Sequence, residues 1–169
     1  MPLTEKLISS FLAFELDIDI NSPIHSIRTN AIKKFERLGF PNRKLENWKY
    51  TSLNRIIKED YTVFSKKKNV IDFKKVQDYF LDNIETYKII FVDGYFDPFL
   101  SQTSHDGIDI CIMSAALTKT KYSKIINKFF NKSANPEDSL TSLNTAFSKE
   151  GVYIHIPKNT VLDKPVEII

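Results

Sequence analysis

The repeat of apolar residues changes period along this chain, and that change constrains the fold more than any single motif. Leu7, Ile8, Phe11, Leu12 and Phe14 recur at helical spacing, and Ile24, Ile27, Ala31, Phe35 and Leu38 follow at steps of 3, 4, 4 and 3. Apolar side chains at those steps share one face of a helix and turn it inward. Later the period falls to two. Tyr87 to Val92 is a β-rich run, Ile108, Ile110 and Ile112 alternate with Asp109 and Cys111, and Val152, Ile154 and Ile156 alternate with Tyr153 and His155. A chain that switches period in this way carries helices first and a sheet afterwards, which is the α+β class.

Local signals punctuate these segments. Thr4 is the expected cap of the first helix. Ser22 and Pro23 are the expected cap and first residue of the second, which Gly39 and Pro41 stop. Thr51 is the expected cap of a short helix to about Lys58, with Leu53, Ile56 and Ile57 on one face. Residues Phe40 to Tyr50 then form a long non-helical connection, a length usually packed or functional. Trp48 and Tyr50 are expected to bury their rings and anchor it, with Arg43, Lys44 and Glu46 pairing nearby. Tyr61 to Phe64 reads as a short strand. Asp72 caps a helix with Phe73, Val76, Tyr79 and Phe80. Asp93-Gly94 between two β-rich runs is a hairpin turn, and Pro98 ends the second arm. A helix from about Lys121 carries Tyr122, Ile125, Ile126, Phe129 and Phe130, and Asn131 to Pro136 is a polar break. Asp138 caps another helix with Leu140, Leu143 and Phe147, stopped by Gly151. Residues 1–150 thus read as a mixed helical and β domain. From Gly151 a new β layer begins and runs to Ile169 within a strand-like pattern. That points to a piece of a longer protein; an intact native gene product of only 169 residues would refute it.

The composition excludes several classes. Aliphatic and aromatic residues make up 42% of 169, which supports a packed core. No apolar run approaches the roughly 20 residues that cross a bilayer, and the first residues lack the regions of a signal peptide. One cysteine cannot form an internal disulfide, so the chain reads as cytoplasmic. Net charge is +3, from 24 basic and 21 acidic side chains, a mixed surface and not a polycation.

Chemistry-bearing patterns are sparse. The four glycines, Gly39, Gly94, Gly107 and Gly151, form neither a phosphate loop nor a dinucleotide fingerprint. His25, His105 and His155 lie on separate elements and share no ligand spacing with Cys111, which is expected as a partly buried, inert thiol. No Gly-x-Ser-x-Gly elbow is present, and Asp17, Asp19, Glu59 and Asp60 lack the pattern of a cation loop. No catalytic, cofactor-binding or metal-binding residue is therefore assigned, and the chain reads as an interaction or architectural module.

One stretch is specific. Read with its flanks it is Arg28-x-x-Ala31-x-x-x-Phe35-x-x-Leu38-Gly-Phe-Pro-x-Arg43-Lys-x-Glu46-Asn-Trp-Lys-Tyr-Thr51-x-Leu53. It resembles the N-terminal region of the SufD family, components of the Suf iron–sulfur cluster assembly machinery. Ile90 to Gly94, Ser142 to Phe147, Gly151 to Pro157 and Pro165 to Ile168 support the likeness in the same order. The resemblance implies a mixed N-terminal domain followed by a parallel β-helix, so that residues 151–169 would be the first strands of a β-helix that is cut off. It implies a scaffold role without catalysis. It also implies pairing with a SufB-like paralogue and a SufC-like ATPase through regions mostly absent here. The parent complex would assemble iron–sulfur clusters, with no cofactor on this stretch. SufB shares the β-helix but differs at its N-terminal end, so the tryptophan motif favours SufD. The alternative reading is a single-stranded nucleic-acid module using Lys66, Lys67 and Lys68 beside Tyr61 and Phe64. No arginine-rich or glycine-aromatic motif accompanies the lysines, so nucleic acid is the weaker expectation.

Overall fold

The computed structural model describes residues 1–63, 71–102, 107–132 and 138–169. In chain order these residues form α1 (Leu3–Glu15), α2 (His25–Leu38), a 3-10 turn (Glu46–Trp48), α3 (Asn54–Ile57), α4 (Phe73–Gln77), β1 (Tyr87–Ile89), β2 (Phe91–Val92), β3 (Tyr95–Phe96), β4 (Asp109–Ile112), α5 (Met113–Thr118), α6 (Thr120–Phe129), α7 (Ser139–Ala146), β5 (Val152–His155) and β6 (Val166–Ile168). The α+β class follows. The chain divides into two compact units, 1–64 with 124–149 and 65–123 with 150–169.

The first unit is helical. Its core joins Phe11 and Phe14 of α1, Ala31, Ile32 and Phe35 of α2, and Ala146 of α7, with Leu143 and Phe147 packed against them. Phe147 meets the rings of Phe11 and Phe14 edge-on at 5.7 and 5.4 Å, the favoured aromatic geometry. α2 and α7 pack along one another. The residues α7 buries are Ser139, Ser142, Thr145 and Ala146. Small side chains let two helix backbones approach closely, and their hydroxyls find local partners. Ser142 Oγ donates to the Asp138 carbonyl at 3.0 Å, and Thr145 Oγ1 donates to Asn131 Oδ1 at 3.2 Å. Arg28 is buried on α2 because its Nε and Nη2 both donate to the Ser148 carbonyl, at 2.9 and 2.8 Å.

Several expected helix ends move. α1 starts at Leu3 after Pro2, so Thr4 lies inside it, and Leu12 faces solvent. α2 starts at His25, because Ser22 to Ile24 form a turn in which the Ser22 carbonyl accepts from His25 N–H at 2.8 Å. α3 follows Leu53, with Ser52 Oγ accepting from Asn54 N–H, and Thr51 caps nothing. α7 ends at Ala146, four residues short of the span expected to run to Gly151. Gly39 does stop α2, at φ 65° and ψ −167°. That is not the left-handed helical well but a region open essentially to glycine alone.

The second unit carries the strands. The Tyr87–Val92 run is split at Ile90, whose carbonyl and amide are taken by Asp97 N–H at 2.9 Å and Ser101 Oγ at 2.8 Å. β1 pairs in parallel with β6, in the register Tyr87↔Val166 and Ile89↔Ile168. β2 and β3 form the expected hairpin, with Phe91 opposite Phe96. Asp93 and Gly94 have φ of 51° and 79°, the paired positive values of the turn that matches strand twist. β4 pairs antiparallel with β5. The inner faces meet in a cluster of Ile89, Ile108 and Ile110, joined by Val152, Ile154 and Val166. α4 is capped as expected, Asp72 Oδ1 accepting from Lys74 N–H at 3.1 Å. Tyr61 to Val63 form no strand, and α5 had no forewarning in the sequence.

Candidate functional site

Among the described residues, two places gather polar or concave chemistry. The first is the face of β4 and β5 turned away from the isoleucine cluster. Register puts Asp109 opposite His155 and Cys111 opposite Tyr153, all on that face. α6 adds Tyr122 and Lys121. Tyr122 packs against Tyr153 with the rings tilted by 36° and their centroids 4.9 Å apart, and its hydroxyl donates to Asp109. Lys121 Nζ lies 3.8 Å from Asp109 Oδ2. His155 Nδ1 lies 3.4 Å from the same oxygen, near enough for an ion pair when protonated but not aligned as a hydrogen bond.

The cluster's electrostatics run one way. The Tyr122 hydroxyl, with His155 and Lys121 beside it, holds the Asp109 carboxyl below the usual carboxylate range. That bond and burial push Tyr122 up to about 12. Burial, more than neighbouring Asp109, raises the Cys111 thiol against the opposing pull of Lys119, and burial raises Tyr153 as well. Near neutral pH, Tyr122, Tyr153 and Cys111 all keep their protons, and Asp109 is a carboxylate that accepts from Tyr122 with Lys121 and His155 close by. A thiol held protonated is a weak nucleophile. Chemically the arrangement clamps the start of α6 to the sheet.

The second place is the long connection after α2. It is more ordered than a plain link. Asn42 Oδ1 accepts from Lys44 N–H at 2.9 Å, and bonds from Leu45 to Asn42, Trp48 to Leu45 and Thr51 to Trp48 close successive tight turns. Its anchor is not the expected one. Phe40 sets its ring edge-on to Phe35 at 5.2 Å and 88°, and Pro41 is buried. Trp48 is only half-buried, and Tyr50 is 87% exposed with Lys49 Nζ 5.6 Å from its ring. The chain has already been pinned at Phe40, so the 3-10 turn leaves these later rings outside the core. Among the described residues Arg43, Lys44 and Glu46 form no ion pair. A cavity of about 400 Å³ opens here, lined by Pro41, Leu45, Glu46, Asn47 and Trp48 together with Asp138 and Ser139 at the start of α7.

The two described histidines belong to different units. His25 Nε2 lies 3.3 Å from Glu15 Oε1 in the first unit, His155 belongs to the β4–β5 face, and His105 lies outside the described residues. Among the described residues no three His, Cys, Asp or Glu side chains are placed to hold a metal ion, and no helix is long and apolar enough to cross a membrane. Lys66, Lys67, Lys68 and Phe64 also lie outside the described residues; Tyr61 is exposed. The β4–β5 cluster escaped the sequence reading because only the strand pairing brings Asp109, His155 and Tyr122 together. Alternation had set Asp109, Cys111, Tyr153 and His155 apart from the isoleucines of the same two strands, and that was the available signal.

Comparison with known proteins covers the same ground as the sequence motif. An iron-sulfur cluster assembly SufBD family protein of Synechocystis is 22% identical over 142 residues, which are 84% of this chain and 31% of that protein. The chain thus spans about a third of the length of the curated relative it matches. The family model described as the SufBD protein N-terminal region matches residues 3–168, nearly every element above, and the chain belongs to that family.

Proposed function

We propose that this chain is the N-terminal domain of a SufD-type subunit in an iron–sulfur cluster assembly complex, with an architectural role and no catalysis of its own. The observation that carries the reading is the family match over residues 3–168, reinforced by the name of the Synechocystis relative. The tryptophan-bearing stretch favours the SufD type over the SufB type. Cys111, Tyr122 and Tyr153 are held in their protonated forms, which agrees with a domain that positions and does not react. The chain holds no cofactor in this reading. β5 and β6 are the first strands of a β-helix that continues in the parent protein. The partners are a SufB-like paralogue and a SufC-like ATPase, met chiefly through that continuation, in the cytoplasm.

The test is co-purification of the full-length parent, tagged and expressed at native level. A stable complex with SufB-like and SufC-like proteins is the expected result. A parent that elutes alone under conditions preserving other Suf complexes would refute the partner assignment. Salt-sensitive binding of single-stranded DNA at micromolar protein would instead favour the lysine-run reading.

A further inference from the structure

The cavity beside Trp48 has a lining that the scaffold reading does not use. Trp48 offers a partly buried indole, the broadest π-face of any side chain. Glu46 sits two residues before it, exposed and in no ion pair among the described residues. The second carboxylate, Asp138, is committed. Its Oδ1 accepts from Leu140 N–H at 3.0 Å and its Oδ2 from the Thr141 hydroxyl at 2.6 Å. No cation lines the cavity among the described residues; Lys44 and Lys49 are neighbours in sequence but not in its wall. Leu45 and Pro41 add apolar surface, and Asn47 and Ser139 complete the wall.

An aromatic face, a free carboxylate and apolar surface complement one kind of occupant. We propose that the cavity receives an arginine side chain presented by a segment of a partner protein, its guanidinium lying over Trp48 and donating to Glu46. Arginine fits better than lysine. Its planar guanidinium stacks on an indole while its edge donates in parallel to a carboxylate, whereas an ammonium is a compact, strongly hydrated point charge. At about 400 Å³ the cavity exceeds one side chain, so flanking apolar residues of the segment lie against Leu45 and Pro41. The turns closed by Asn42 and Leu45 fix the backbone that carries Glu46 and Trp48 before binding, so the backbone loses little ordering entropy on association.

Trp48 is the single tryptophan, so fluorescence excited at the red edge, where tyrosine does not absorb, reads this cavity alone. The probe is an acetylated, amidated pentapeptide with arginine at its centre and alanine and leucine on either side, titrated into the 169-residue chain. A saturable change with a dissociation constant on the order of 1 mM or tighter is expected. The same peptide with citrulline for arginine, and Glu46→Gln titrated with the arginine peptide, should each bind roughly threefold to tenfold more weakly. Glu46 is exposed, so Glu46→Gln should keep the parent's thermal midpoint. Glu59→Gln, an exposed acid elsewhere, should bind like the parent. No saturation up to about 10 mM, an equal response to citrulline, or equal weakening by Glu59→Gln would each overturn the proposal. The measurement uses the chain alone, so its failure is distinct from a failure to co-purify with Suf partners.

Discussion

At the scale of single residues, two buried charges and one ring show how position sets energetics. Arg28 survives burial because a forked pair of bonds to the Ser148 carbonyl offsets part of its desolvation, which pulls its pKa downward while Asp19 acts the other way. Arg28→Lys offers no fork at that carbonyl and is expected to lose about 1–3 kcal/mol by urea denaturation. A lysine variant as stable as the parent would remove this role. Glu167 of β6 accepts from Leu81 N–H at 2.8 Å and the Thr86 hydroxyl at 2.5 Å, with Lys88 Nζ 4.0 Å away. The Thr86 bond is the largest of the influences that lower its pKa from 4.5. A depressed carboxyl pKa stabilises the folded state above the unfolded value, and that stability is lost as pH falls through the folded value. Glu167→Gln is therefore expected to be less stable than the parent at pH 7, with the gap closing as the pH drops below 4.5. A gap independent of pH would contradict this. Phe40, packed on Phe35, anchors the long connection in place of the expected Trp48. Phe40→Ala should cost about 2–3 kcal/mol and clearly more than Trp48→Ala, read as thermal midpoints on the same chain.

At the scale of elements, glycine and caps decide where helices stop and turn. Gly39 adopts φ 65° with ψ −167°, and a Cβ there meets no atom within 4 Å, so the obstacle is the backbone conformation and not space. Gly39→Ala is expected to cost about 1–3 kcal/mol. Gly39→Asn should do no better, because asparagine is favoured in the left-handed helical well and not in this one. A stabilised asparagine variant would show that the turn relaxes into that well. Asp72 and Asp138 were legible as caps because each lies directly before a helix that starts as the local pattern dictates. Thr4, Ser22 and Thr51 were misread because a cap needs a particular backbone path. Pro2, the turn at Ser22 to Ile24 and the one at Ser52 each supplied another. The small buried face of α7 was invisible for a related reason. Serine and threonine read as polar until a neighbouring helix comes close enough to need them.

At the scale of the molecule, each unit is built from two separated stretches of chain. β5 follows α7 closely in sequence, yet its partner is β4 and the face it buries joins Ile108 and Ile110. Ile154→Ala should therefore speed amide exchange in β4, at Ile110 and Ile112, more than in α7. Equal acceleration in α7 and β4 would contradict that grouping. The amino-acid sequence by itself determined the α+β class, the hairpin at Asp93-Gly94, two helix caps and the family, because period, turn chemistry and a long motif are local properties of a chain. Only the tertiary structure decided that Tyr87–Val92 divides between a parallel and an antiparallel partner, that Asp109, His155 and Tyr122 meet, and that Trp48 lines a cavity while Phe40 holds the loop. Those outcomes depend on which distant surfaces compete for the same backbone bonds and the same buried space, and no local pattern records that competition.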